Sequence, residues 1–310
     1  MKVLVIGGTR FLGLAIVQAL HRHGHNAVVA HRGSTKADLP ESARETSLDI
    51  SDIEALKACV VSEQYDAVVD TILGAPALQT LVPVLQGKIR HYVHCGSTGV
   101  YAPMKRLPAR EDDFCEALPA YGGFGAKLDQ DKILMEAHRN LGFPATVLRP
   151  TNIYGAGDIP LDIWGARNPE FFRRLKRSEL VTLPNDGRAL LQPGLVSELG
   201  EAFVLALEAP RSIGRIYNIS SARAVELREY LEILKTVLKS DSPVDYASTE
   251  SLLTTYLPGN KINEGGLRFV VEHMSVDIGR ASTEIGFAPT FTYEDGLAAN
   301  MAWMRGRGLI

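Results

Sequence analysis

The chain has 310 residues, 45% of them hydrophobic and 22% charged, with a formal net charge of -3. That length and apolar content can fill a core in one large domain or two closely packed ones, which excludes disordered and fibrous architectures. The near-neutral balance argues against a surface basic enough to wrap a polyanion.

Three scattered cysteines, Cys59, Cys95 and Cys115, form no Cys-x-x-Cys pair. They suggest neither a disulfide framework nor a thiolate metal site, and no metal is expected; a reducing cytoplasm is the simplest home. No apolar run approaches the roughly 18 residues of a membrane span. The N-terminal run Val3 to Ile6 stops at Gly7, well short of the roughly 7 to 15 residues that a secretion signal needs. It reads as a buried parallel strand.

After it come Gly7-Gly8-Thr9-Arg10-Phe11-Leu12-Gly13 and a helical pattern, with Leu12, Ala15, Ile16, Ala19 and Leu20 on one face. Gly24 stands where a helix C-terminal glycine belongs, and Ala27 to Ala30 form the next strand. Strand, glycine turn, helix and strand together make the setting in which such a motif carries meaning. Glycines admit a pyrophosphate close to the backbone, and the helix N-terminus offers it N–H groups and a positive dipole end. Gly7, Thr9, Arg10, Phe11, Leu12 and Gly13 are therefore the expected dinucleotide cradle, against the alternative of a purely structural turn. The second strand ends at His31-Arg32-Gly33, without the acid that accepts from the ribose of NAD. Arg32, with Arg10 nearby, suits the extra phosphate of NADP, so NADP is expected ahead of NAD.

Alternation continues with a short strand at Ser47-Leu48-Asp49 and a helix opened by a Ser51-x-x-Glu54 capping box. The strand Ala67 to Asp70, a helix from Ala75 to Leu85, and the strand Tyr92 to Cys95 follow. A loop to about Leu118 leads to a helix from Phe124 to Leu141 and the strand Thr146 to Leu148. Six strands alternating with helices predict an α/β protein, a doubly wound parallel sheet of Rossmann type. Beyond about residue 155, Pro160, Pro169, Pro184 and Pro193 punctuate shorter elements. The expected division is a dinucleotide domain over 1–155 and a smaller substrate lobe over 156–310, with segments returning to the main sheet. Thr151 and Asn152, just past a strand end, are candidates for the substrate pocket or for a turn.

Two clusters have bland readings that outweigh functional ones. His21, His23 and His25 resemble a metal tract, but Gly24 ends the helix between them, and solvated helix-end histidines are expected. Arg173, Arg174, Lys176 and Arg177 form the one basic run. Without a wider basic stripe it reads as a solvated helix face rather than a nucleic-acid contact.

The glycine turn, Asp49-Ile50, the run Cys95-Gly96-Ser97-Thr98-Gly99-Val100-Tyr101 and Leu148-Arg149-Pro150-Thr151-Asn152-Ile153-Tyr154-Gly155 carry a resemblance, as do Tyr217-Asn218-Ile219 and Ile285-Gly286-Phe287-x-Pro289. Over nearly its full length the chain resembles the extended short-chain dehydrogenase/reductases, in their nucleotide-sugar epimerase/dehydratase branch. The resemblance implies a small-molecule substrate, a homodimer, Asp49 with Ile50 beside the adenine, and hydride chemistry at a nicotinamide. It also implies a tyrosine as general acid/base, a lysine four residues later that lowers the phenol pKa and holds the ribose, and a Ser or Thr that orients the substrate oxygen. Positions i and i+4 share a helix face, so cation and phenol meet, and a phenol near pKa 10 needs that cation to act near neutrality.

Ser97 and Lys127 match the serine and lysine. The tyrosine does not match: Gly123 stands four residues before Lys127. Tyr121, six residues upstream, is about 600° round a helix and off the lysine's face. It reaches the site only if the helix starts near Phe124, with Gly122 and Gly123 forming the approach; Tyr101 is a second candidate near the substrate. The arginine that grips a diphosphate in such enzymes is replaced by Leu191, and Arg188 stands out of register. These departures, with Arg32-Gly33, Asp162-Ile163-Trp164, Phe171-Phe172-Arg173-Arg174-Leu175-Lys176, Leu183-Pro184-x-Asp186-Gly187 and Gln192-Pro193-Gly194-x-Val196, are similar to an atypical branch. That branch contains chloroplast stem-loop RNA-binding proteins and also keeps the lysine without the usual tyrosine. Two functions are thus implied: an NAD(P)-dependent enzyme acting on a nucleotide sugar or related hydroxyl/carbonyl metabolite, or a degenerate dinucleotide binder turned to RNA or cofactor sensing.

Overall fold

A computed structural model describes residues 1–33, 37–121, 123–256 and 262–310. In chain order the elements that build the site are β1 (Lys2–Ile6), α1 (Phe11–Arg22), β2 (Asn26–His31), β3 (Ala43–Ser47) and α2 (Ile53–Val61). They continue with β4 (Ala67–Asp70), α3 (Ala75–Leu85), β5 (His91–Cys95), α4 (Phe124–Leu141) and β6 (Ala145–Pro150). The second half adds α5 (Pro169–Lys176), α6 (Val196–Glu208) and the strand Ile216–Ile219.

Alternate residues of a strand face opposite sides, so an unbroken apolar run belongs between two layers of helices. β1 obeys this: Val3 and Val5 join the core beneath α1 and α6, whereas Leu4 and Ile6 join the one beneath α2 and α3. The seven-stranded sheet runs (Ile216–Ile219)–β6–β5–β4–β1–β2–β3, every neighbouring pair parallel. Six of these strands were expected; the seventh comes from beyond residue 155. The winding reverses between β1 and β4, which opens a crevice at the carboxyl ends of the strands.

Two local expectations shift. The third strand is Ala43–Ser47, earlier than Ser47-Leu48-Asp49, because Ser47 already pairs with His31 at the end of β2. The cap of α2 is Asp52, whose carboxylate accepts from the Ala55 amide at 2.9 Å. The Ser51 hydroxyl donates instead to Asp49 at 2.8 Å, so no Ser51–Glu54 capping box forms.

Gly200 lets α6 lie against α1, since a Cβ there would come 2.8 Å from the Ala15 carbonyl carbon. Of the three histidines expected to be solvated, His21 is exposed, but His23 and His25 stitch this contact. His23 Nδ1 meets Glu208 at 3.1 Å and its Nε2 meets Glu201, while His25 Nε2 lies 2.9 Å from Glu208. Burial disfavours the charged His23 ring, but the two carboxylates outweigh that and its pKa is raised.

A second apolar core gathers residues from Tyr154 onward, including Trp164, Phe171, Phe172, Leu227 and Leu234. Three cations of the basic run are paired on α5's flank: Arg173 and Arg177 with Glu170, Arg174 and Arg177 with Glu179. Arg174 also lies over the Trp164 ring at 5.5 Å.

Asp162 is buried in a turn, accepting from the Trp164 amide at 2.8 Å and the Ala166 amide at 3.0 Å. Burial dominates those bonds and pushes its carboxyl up to about 7. A carboxyl whose folded pKa exceeds its unfolded value binds more protons in the native state, so stability falls as pH rises from about 4 through about 7. Asp162→Asn keeps an acceptor without the charge. Urea unfolding should lose much of that slope, and the variant should gain up to about 4 kcal/mol over the parent at pH 8. Identical pH slopes in the two proteins would contradict this.

Candidate functional site

The crevice holds a cavity of about 1120 Å³, ample beside the roughly 300–1,000 Å³ of small-ligand sites. The glycine turn forms one end. Gly7 has φ +92, a left-handed conformation that side chains avoid, and a Cβ on Gly13 would overlap the Gly7 carbonyl oxygen. Strand end and helix start can approach this closely only as glycines. No side chain caps α1, and its first turn carries no acid. Its N-terminal amides and positive dipole end are left for an anion. Gly7, Thr9, Arg10, Phe11, Leu12 and Gly13 all line the cavity.

Arg32 lines it at the end of β2, next to His31, whose Nδ1 accepts from the Gly33 amide at 2.9 Å and so shapes the turn. Asp49 and Ile50 follow from the β3 end. Asp49 accepts from the Ser51 amide at 3.0 Å and hydroxyl at 2.8 Å, which holds its carboxyl below the usual range.

At the end of β5, Ser97 Oγ accepts from the Gly99 amide at 3.2 Å, and Lys127 Nζ donates to the Cys95 carbonyl at 2.8 Å. Thus α4 delivers its lysine to the strand end, on the same cavity as Ser97. Burial pushes the Cys95 thiol up to about 12, leaving it inert as a nucleophile. Thr151 and Asn152 line the wall after β6, with Thr151 Oγ1 2.7 Å from the Ser220 hydroxyl.

The two tyrosines are not brought to this site. Tyr121 ends a short 3-10 turn and donates from its hydroxyl to Glu272 at 2.8 Å, its ring against Phe269. It does not line the cavity, and burial together with Glu272 raises its pKa, the wrong direction for a general base. Gly122 lies outside the described residues. Tyr101 is fully buried within a polar chain: Arg149 Nη1 donates to its hydroxyl at 2.6 Å, and that hydroxyl donates to Asn218 at 2.9 Å. Arg149 Nε also donates to Asp131 at 2.8 Å, and the Asn218 backbone N–H donates to the Glu111 carboxylate at 2.9 Å. Tyr101 therefore does not line the cavity.

Several lining residues escaped the sequence reading: Thr71 and Ile72 after β4, Arg167, Gln192, Phe269 and Met274. Only Thr71 and Ile72 had a signal, their place at a strand end beside the winding reversal. The others arrive on loops and short elements of the second half. Leu191 does line the cavity, while Arg188 lines a separate pocket of about 380 Å³ with Asp186 and His273.

A profile of the NAD dependent epimerase/dehydratase family matches residues 3–80 and 77–220. The chain belongs to the NAD dependent epimerase/dehydratase family. Among curated relatives of this epimerase/dehydratase member, the "Chloroplast stem-loop binding protein of 41 kDa b" of Arabidopsis thaliana is 28% identical, over 99% of this chain and 80% of that protein. The "2'-dehydrokanamycin reductase" of Streptomyces kanamyceticus is 26% identical, over 75% of this chain and 65% of that one. Among solved structures, UDP-glucuronic acid 4-epimerase from Bacillus cereus in complex with NAD superposes with a TM-score of 0.77 at 19% identity, covering 99% of both chains. Among the described residues of this family member, no helix is long and apolar enough to cross a membrane.

Proposed function

We propose that the protein is an NADP(H)-dependent enzyme that interconverts a hydroxyl and a carbonyl on a small molecule, a nucleotide sugar or a related metabolite. The observation that carries this is one cavity shared by an uncapped helix N-terminus, Ser97 and Lys127. The Gly7–Gly13 turn suits a pyrophosphate, Asp49 and Ile50 an adenosine, and Lys127 the nicotinamide ribose. When bound, a nicotinamide supplies hydride acceptance and donation at carbon.

The chain's own side chains then handle the oxygen. An alcohol that gives up hydride from carbon must lose its hydroxyl proton as well. Ser97 Oγ, whose lone pair takes the Gly99 amide, keeps its O–H free to polarise that oxygen. Lys127, anchored on the Cys95 carbonyl, retains further N–H groups for the ribose and for the developing charge. No tyrosine lines the cavity among the described residues. The alcohol proton therefore passes to solvent by way of Gly123, which lines the cavity, while the Lys127 ammonium stabilises the negative charge left on the oxygen.

NADP is preferred in this reading because Arg32 directly follows β2, where no acid stands to repel a phosphate. Fluorescence titration should find NADPH bound more tightly than NADH, by about tenfold or more for one charge-assisted contact. Arg32→Asp should invert the order. Tighter NADH binding by the parent protein would refute the preference, and no binding of either would refute the enzyme reading.

A further inference from the structure

Resting on that reading, we propose that the substrate end of the cavity receives an uncharged ring alcohol or ketone without a phosphate, stacked on an aromatic shelf and held through its oxygen by Asn152. Phe124 and Phe269 form the shelf, with centroids 5.3 Å apart and planes 31° from parallel. Leu161, Leu191 and Met274 continue the wall. Such faces suit the C–H face of a saturated ring or an aryl group, whereas a diphosphate placed there would lose its hydration without gaining a cation.

Of the described cations that line the cavity, Arg10 and Arg32 belong to the proposed cofactor side and Lys127 stands with Ser97; the remaining one, Arg167, is already committed. It forms an ion pair with Asp158 at 3.2 Å, donates through Nη1 to the Ile159 carbonyl, and donates through Nη2 to the Ile153 carbonyl at 2.9 Å and Asn152 Oδ1 at 3.0 Å.

That last bond fixes the Asn152 amide. Arginine only donates, so the atom facing it must be the carbonyl oxygen, and the NH2 group points the other way. Asn152 Nδ2 is buried and has no hydrogen-bond partner, although Asn152 lines the cavity. A buried donor left unmade is unfavourable by itself and becomes favourable once a ligand oxygen accepts from it. Gln192, the other amide on this wall, is anchored at both atoms, its Nε2 donating to the Ser221 carbonyl and its Oε1 accepting from the Val276 amide. Arg167 is thus a positioning residue and Asn152 the ligand contact.

The test is calorimetry on the full-length protein saturated with NADP+, titrated with phenyl β-D-glucopyranoside, UDP and UDP-glucose. The glucoside should bind, and UDP should neither bind nor displace it. Phe269→Ala and Asn152→Ala should each weaken the glucoside about tenfold, the equivalent of one stacking or hydrogen-bonding contact. Arg167→Leu should match Asn152→Ala, while Arg167→Lys, which still donates to Oδ1, should restore much of the affinity. Phe269 is half-buried, so its variant tests the shelf even if an Asn152 variant misfolds. Saturable UDP-glucose binding tighter than the glucoside would overturn the proposal. So would a protein that binds NADPH and ignores the glucoside, or a glucoside affinity indifferent to Phe269 and Asn152. Failure to bind NADPH in the separate fluorescence titration would strike at the enzyme reading instead.

Discussion

A tyrosine introduced at position 123 should raise turnover by about 10²-fold, the low end of what a positioned general acid/base contributes. Gly123 precedes Lys127 by one helical turn, opens onto the cavity, and has φ −77, which any residue adopts. A Cβ built there meets nothing within 4 Å, so the phenol has room to stand beside the lysine. Turnover is followed as loss of NADPH fluorescence with a neutral ring ketone such as 4-phenylcyclohexanone. The gain should vanish in Gly123→Tyr combined with Lys127→Met, because the phenol then lacks the cation that lowers its pKa. An unchanged rate in Gly123→Tyr, with cofactor binding intact, would show that the missing phenol is not what limits proton transfer. Tyr121→Phe should leave turnover unchanged, since its hydroxyl is spent on Glu272.

The largest stability effect should come from Arg149→Leu, a loss of about 3–5 kcal/mol as expected when one partner of a buried ion pair is removed. Arg149 and Asp131 are both nearly solvent-free, and Arg149 also holds the Tyr101 hydroxyl. Without the guanidinium, the Asp131 carboxylate is stranded between β6 and α4. Burial already raises its pKa despite Arg149, and the variant raises it further. The deficit should therefore shrink as pH falls and Asp131 takes a proton. Urea unfolding at neutral and acid pH measures both effects, and Arg149→Leu with Asp131→Leu should recover much of the loss. A single variant within 1 kcal/mol of the parent would mean that the pair contributes little.

These two expectations mark the two ways in which the motifs were legible. The glycine turn and the strands could be read because each is decided over a few residues, whereas the lysine was found only through the resemblance. Close approach needs Gly7 and Gly13, and a doubly covered strand needs an unbroken apolar run. Tyr101, Arg149 and Asn218 were legible as a signature but not as a function. Tyr101 and Asn218 meet across 117 residues of sequence, and there they bond each other inside the protein. Tyr121 is the same lesson in reverse. Its partner Glu272 lies 151 residues away and turns the phenol from the cavity. His23 and His25, just past α1, looked solvated because their carboxylate partners, on α6, lie far along the chain.

The order of residues alone determined the parallel wound sheet, the glycine turn at the first helix and the absence of an acid after β2. Each depends on local backbone geometry or on the residue type itself. Tertiary structure alone decided which polar groups face the cavity, that Arg167 fixes the Asn152 amide, and that Phe124 and Phe269 meet in an aromatic wall. The direction of a side chain and the pairing of its charge are set by neighbours that packing supplies from distant segments, and no short-range pattern encodes them.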